Sequence, residues 1–234
     1  MKARPILMSG PMVRAILTGQ KTQTRRVVKG ASLEWINWFA DEDNHDRPAM
    51  FDGGAECHSG AGIYVYSDNY PDEGSVLLKS PYGQPGDRLW VRETIRCVRG
   101  GYDGVRYWDE AVYAADGAKT KLDHWGWQRD VLPAIHCPRG LSRITLEVVS
   151  VGVERLQEIT EADAIAEGVQ QDRGRDVSAA MGGGVTPWRC YLDEDEWYSS
   201  PITSYRSLWE LINGPGSWAA NPWVWRVEFK RVTE

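Results

Sequence analysis

Apolar and polar positions change period several times along this 234-residue chain, and each change marks an element. A strand-like run from Pro5 to Met8 leads into Ser9-Gly10-Pro11, where Ser9 or Gly10 can cap a helix and Pro11 can take its first position. Met12, Val13, Ile16 and Leu17 then follow helical spacing, and Gly19 supplies a left-handed stop. From Lys21 to Val28 the β-branched and charged residues predict a strand. Tyr82 to Asp87 reads as a turn, with Pro85 and Gly86 suited to the two central positions of type II. A strand over Arg88 to Thr94 follows, with Leu89 and Val91 on one face and Trp90 and Arg92 on the other.

Ala111 to Ala114 predicts a short strand, and Ser142 to Val153 is the best strand in the chain. Thr160-Glu161-Ala162-Asp163 fits a capping box in its Asp form, and Gly168 closes that helix after two turns. Ser204 to Ile212 predicts a helix stopped by Asn213-Gly214-Pro215. The chain ends in a half-buried strand, where Trp223, Trp225, Val227 and Phe229 alternate with Val224, Arg226, Glu228 and Lys230. Three stretches are irregular or mixed and read as insertions into one domain of residues 1–234: 31–75, 98–137, which contains the strand at 111–114, and 170–203. Within the last, residues 170–200, with Gly182-Gly183-Gly184, read as a mobile loop.

Composition sharpens this picture at two points. Twelve Trp and ten Tyr stand against three Phe, so flat side chains with one polar atom are abundant. These suit wet pocket walls and base stacking as well as a β-rich core. The formal net charge is -6, which argues against a broad duplex-binding face. Its distribution is uneven: Lys2, Arg4, Arg14, Lys21, Arg25, Arg26 and Lys29 occupy the first thirty residues without one acid, which leaves -13 for the remainder. A cationic focus on an acidic body suits capture of a small polar or anionic ligand, or of a short single-stranded nucleic acid.

The apolar stretch from Pro5 to Leu17 is too short and broken for a signal or membrane segment, so a cytosolic protein without membrane partners is expected. Cys57, Cys97, Cys137 and Cys190 are scattered, as reduced thiols are. The pairs Cys57-His58 and His136-Cys137 lack the spacing of ordinary zinc sites, and no metal or cofactor is expected.

The order of strands with few short helices suggests an α+β fold built on a small mixed β-barrel. At this point Gly19-x-Lys21-x-x-Thr24-x-Arg26 resembles the signature of the ASCH domain, a relative of the PUA RNA-binding fold. Three further segments agree in order: Gly86 to Glu93, Ile159 to Gly168, and the terminal strand near Val232. The pattern that includes Ser217 to Trp225 is similar to ASCH proteins of phages and prophages. The resemblance implies a PUA-like barrel. From the branch similar to bacterial N4-acetylcytidine amidohydrolases it implies a catalytic set of Lys21, Thr24 and Glu167. The activity to expect is hydrolysis of an acylated nucleoside. The alternatives are a non-catalytic module for RNA or modified nucleic acid, or a ribonuclease.

The chemistry is coherent by itself. A threonine hydroxyl attacks an amide carbonyl once a neighbour takes its proton, and a lysine can do so when burial and nearby cations such as Arg25 and Arg26 lower its pKa. Glu167 can orient the lysine or pass on a proton. Glu167 also breaks two local rules: it is an anion at a helix C-terminus, and it lies four residues after Asp163, a like-charge spacing that costs about 0.2–0.5 kcal/mol. One geometric condition stands against the set. On a straight strand residues 21 and 24 face opposite ways, so the backbone must bend between them. Without the resemblance, Lys21 reads as a surface lysine and Thr24 as a strand former. Arg26 and Arg25 are candidate ligand contacts, and Trp90 and Trp223 candidate stacking residues, although alternation favours packing for Trp223. Glu93 is a further pocket candidate, or else a surface partner of Arg92 or Arg25.

Overall fold

The computed structural model describes residues 2–29, 49–51, 62–65, 76–102, 107–171 and 187–232. Its centre is a five-stranded mixed sheet. In chain order its strands are β1 (Ala3–Leu7), β2 (Gln23–Val27), β6 (Arg88–Arg92), β11 (Thr145–Arg155) and β14 (Trp223–Val232), and in space they run β1-β6-β11-β14-β2. β1 and β6 are parallel; every other neighbouring pair is antiparallel. The long β11–β14 ladder carries one register shift between Val148 and Ser150, which leaves the apolar Val149 exposed in the middle of the strand.

The predicted α1 forms over Gly10–Leu17 with proline in its first turn, and Gly19 stops it at φ 78°. Its buried Met12, Val13 and Ile16 pack with Leu89, Val91, Leu146, Val148, Trp225, Val227 and Phe229 to make the main core on one face of the sheet. The turn before β6 is as expected, with Gly86 at φ 85° and the Asp87 N–H donating to the Gln84 carbonyl at 2.9 Å.

The other face of β14 and β2 is covered by two helices. α2 (Glu161–Ala166) begins in the expected capping box, where the Thr160 hydroxyl accepts from the Asp163 N–H while the Asp163 carboxylate reaches back to the Thr160 N–H. α3 (Pro201–Asn213) starts three residues earlier than the apolar pattern predicts. Ser200 caps it by accepting from the Ile202 N–H, and Pro201 fits the first turn. Tyr205, Leu208 and Trp209 of α3 pack on Leu156, Ala164, Val169 and Val224 as a second core. Val224, expected on the half-exposed face of the last strand, is therefore fully buried; burying such a side chain stabilises the fold by about 1.5–3 kcal/mol.

The α+β class is as expected, but the described strands do not close into a barrel: β1 and β2 remain the two edges of an open sheet. They are nevertheless brought within one side chain's reach, because Arg26 of β2 donates from Nη2 to the Leu7 carbonyl of β1 at 2.8 Å. The sheet thus curls around α1, and a hydrogen bond from a side chain spans the gap that a barrel would fill with ladder bonds.

Two of the expected insertions carry sheets of their own. Within and just after 31–75, β3 (Ala49–Phe51), β4 (Gly62–Val65) and β5 (Val76–Leu78) form a three-stranded antiparallel sheet. Residues 98–137 contribute most of a four-stranded antiparallel sheet: β7 (Ile95–Tyr102), β8 (Tyr107–Tyr113), β9 (Lys119–Leu122) and β10 (Val131–Leu132), ordered β10-β7-β8-β9. The strand expected at 111–114 is the end of the longer β8. The 170–203 stretch, expected as a loop, contains the short pair β12 (Trp188–Arg189) and β13 (Trp197–Tyr198); Gly182 to Gly184 lie outside the described residues. No helix among the described residues is long and apolar enough to cross a membrane.

Candidate functional site

The segment between α1 and β2 is clamped between two helix ends. The Lys21 N–H donates to the Ala15 carbonyl of α1, and the Thr22 N–H to the Ala166 carbonyl at the end of α2, both at 2.9 Å. Gly168 makes this approach possible. Its φ is 90°, and a Cβ there would lie 2.9 Å from the Ala15 Cβ and 3.1 Å from the Lys21 Cβ. The helix stop read from the sequence is therefore also the space into which Lys21 fits.

Lys21 is 2% exposed and places its ammonium hydrogens on three acceptors: the Gln23 carbonyl at 2.7 Å, the Glu167 carbonyl at 2.8 Å and Glu167 Oε2 at 2.7 Å. The cation meets both a carboxylate and the negative end of α2, which accounts for an acid at a helix C-terminus. The second broken rule has a similar resolution. Arg25 lies between the two acids, with Nη2 at 3.3 Å from Asp163 Oδ2 and Nη1 at 3.4 Å from Glu167 Oε1. Its strongest contact is elsewhere: Nε and Nη2 both lie 2.6 Å from Glu154 Oε1 on β11. Gln23 fixes Asp163 by donating to its carbonyl at 2.8 Å and to Oδ1 at 2.9 Å.

Burial dominates the electrostatics. It lowers the Lys21 pKa from 10.5, with Glu167 opposing and the Arg26 and Arg25 charges assisting. Burial raises the Glu154 carboxyl above 4.5 although Arg25 and Arg226 pull it down. Tyr205 of α3, within the field of Glu167 and Arg25, is pushed well above 10 by burial and stays a neutral phenol.

Thr24 and Arg26 pair with Val227 and Trp225 of β14 and share the main-core face, while Arg25 pairs with Arg226 on the face toward α2. Lys21 precedes the strand, which begins at Gln23. Thr24 is 0% exposed, and its hydroxyl has no hydrogen-bond partner among the described residues. Lys21 and Glu167 are thus brought together, whereas no hydrogen bond joins Thr24 to either of them.

The remaining candidates fall elsewhere. Arg25 is 2% exposed and surrounded by the carboxylates of Glu154, Asp163 and Glu167, which is a counter-ion's setting and not that of a ligand contact. Arg26 is half-buried; besides its bond to Leu7, it approaches the Met8 sulfur at 3.8 Å. Glu93 is neither on the surface nor paired with Arg92 or Arg25. It is 1% exposed and held at both oxygens by Arg143 at 2.8 Å. Trp90 lies on the face of β6 away from the core, three strands from β2, with the Arg92 guanidinium 5.6 Å from its ring. Trp223 is 8% exposed in the main core, with the Arg155 guanidinium 4.3 Å over its ring, and so packs as alternation predicts. Sequence reasoning missed Glu154, Gln23 and Tyr205. Glu154 lies one residue past the end of the strand expected at 142–153 and so was not read as part of it; the structure extends that strand to Arg155.

Among the described residues no three His, Cys, Asp or Glu side chains gather as a metal site requires, and Cys57 and His58 lie outside them. Neither a known protein family, nor a curated protein, nor a solved structure matches the chain.

Proposed function

We propose that this protein is an amidohydrolase of the ASCH type that removes the acyl group from an N-acylated nucleoside resembling N4-acylcytidine, in a PUA-like fold. The observation that carries the reading is the buried Thr24 hydroxyl, without a partner among the described residues, three residues from a buried amine paired with a carboxylate. A buried hydroxyl left unpaired costs about 1–3 kcal/mol, and such groups call for a role. The curled sheet with edges bridged by Arg26 supports the PUA-like part of the reading.

In this mechanism Thr24 Oγ attacks the acyl carbonyl while the neutral amine of Lys21 accepts the hydroxyl proton. The C–N bond breaks, Lys21 returns that proton to the departing exocyclic amine, and the acyl group remains on Thr24 as an ester. Water then hydrolyses the ester to release the carboxylic acid. Glu167 holds the lysine in place, and the burial that lowers the Lys21 pKa makes its neutral form accessible.

The test follows cytidine release from N4-acetylcytidine. Wild type is expected to turn over, and Lys21→Ala and Glu167→Ala to lose activity. Thr24→Val is expected to keep its fold, its hydroxyl having no hydrogen bond to lose among the described residues, and to be inactive. Equal turnover by wild type and Thr24→Val would remove Thr24 as nucleophile. A second reading, a nucleic-acid binding module, is favoured by one observation: all three Lys21 hydrogens are occupied, as suits a structural cation. Absence of turnover together with binding of a single-stranded oligonucleotide would select it.

A further inference from the structure

The two oxygens of Glu167 serve different cations: Oε2 lies 2.7 Å from Lys21 Nζ, and Oε1 lies 3.4 Å from Arg25 Nη1. Arg25 is drawn the other way, with two nitrogens 2.6 Å from Glu154 Oε1. Glu154 Oε2 in turn lies 3.4 Å from Arg226 Nη1. Charges therefore alternate from β14 through β11 and β2 to the end of α2, in the order Arg226, Glu154, Arg25, Glu167, Lys21. Around it lie Glu228 of β14, 3.5 Å from Arg226 Nε, Asp163 of α2, Arg26 of β2 and the neutral Tyr205 of α3.

This arrangement has a mechanical consequence. An arginine fork and a carboxylate prefer a bidentate pair, and Glu167 offers Arg25 one. The shorter contacts to Glu154 keep Arg25 from closing on it. We propose that Glu154 is a positioning residue: by seating Arg25 away from Glu167, it reserves Glu167 for Lys21 and sets the pH range over which Lys21 exchanges its proton. This rests on the hydrolase reading for its catalytic meaning, but the coupling itself is measurable in ligand-free protein.

The experiment titrates the Lys21 side chain by NMR in full-length protein carrying 13C,15N-lysine, with Lys21→Met to assign the signal. In Glu154→Gln, Arg25 moves onto Glu167 and the Lys21 midpoint falls by about one unit or more, as loss of an opposite charge implies. The acid limb of kcat/KM for N4-acetylcytidine moves down with it. Glu154→Asp, which restores the charge, brings the midpoint back toward wild type. A merely structural Glu154 would lower the urea midpoint and leave the Lys21 titration in place, and that result overturns the proposal.

Should Glu154→Gln fail to fold, Arg226→Gln provides a test of opposite sign at a partly exposed position. It leaves Glu154 to Arg25 alone and moves the Lys21 midpoint up; an unmoved midpoint overturns the proposal there as well. A shifted titration without any hydrolysis sinks the hydrolase reading and leaves the coupling standing. Hydrolysis with an unshifted titration does the reverse.

Discussion

Arg25 and Arg143 each gather carboxylates from distant parts of the chain, and they do so in opposite geometries. Arg143 donates to both oxygens of Glu93 at 2.8 Å and to both oxygens of Asp116 at 2.9 Å. The Tyr113 ring lies 4.1 Å from its guanidinium carbon, and the Tyr113 hydroxyl donates to the Leu141 carbonyl. Each acid has both oxygens on this one arginine. Arg25 instead meets three acids, two of them at 3.3 Å and 3.4 Å, and one of those is shared with a lysine. Nearby, the Thr24 hydroxyl bonds to nothing among the described residues. The first arrangement ties together the segments that flank β6, β8 and β11; the second retains capacity for rearrangement, which proton transfer needs and a structural clamp does not.

Breaking the closed cluster is expected to give the largest effect on stability. Arg143→Met leaves Glu93 buried without a cation, which costs about 3–5 kcal/mol. Urea unfolding measures it, and a loss below about 1 kcal/mol would mean that the pair is no clamp. Next in size is Gly168→Ala. Its backbone is strained for any side chain, and the added methyl meets Ala15 and Lys21, so about 1–3 kcal/mol of stability is lost. Unlike Arg143→Met, this substitution also displaces Lys21, so its NMR signal should shift in Gly168→Ala and stay in place in Arg143→Met. The same shift in both would erase the distinction between the clusters.

What the sequence made legible follows from how local each signal is. The stop of α1 at Gly19 and the capping box of α2 depend on neighbours four residues away or fewer, and both stand where expected. Glu167 drew notice because it breaks helix rules that are equally local. Its pairing with Lys21, 146 residues away, came from the resemblance. Glu154 and Arg143 escaped because their partners depend on strand order. Only β14, placed between β11 and β2, carries Glu154 toward Arg25, and nothing in the alternation of β11 encodes that neighbour. Of the sheet over 95–132 only the end of β8 was expected. β7 carries Gly100 and Gly101 beside Arg96 and Arg99, and its isoleucine, cysteine and valine do not alternate cleanly; β9 and β10 are four and two residues long, so these strands gain stability only when paired. The expected barrel is not formed by the described strands, and between the edge strands a side-chain hydrogen bond from Arg26 stands where ladder bonds would be needed.

The smallest expected effect separates the clusters by the sign of their response to acid. Hydrogen bonds from Arg143 hold the Asp116 carboxyl below its ordinary 3.8. The unfolded chain therefore binds more protons there, so Asp116's stabilisation is present above pH 3.8 and is lost as pH falls through its folded value. Asp116 is partly exposed, which limits the contribution to under about 1 kcal/mol. Glu154 responds the other way. Burial raises its carboxyl above 4.5, outweighing Arg25 and Arg226, so the folded protein binds more protons than the unfolded chain just above that pH. Its contribution is present below pH 4.5 and is lost as pH rises through the folded value. Asp116→Asn should therefore flatten the profile of urea midpoint against pH below 3.8, and Glu154→Gln should flatten it just above 4.5. If Glu154→Gln instead removed stabilisation that appears only as pH rises, Glu154 would be held as firmly as Asp116 is, and Arg25 would belong to a second clamp.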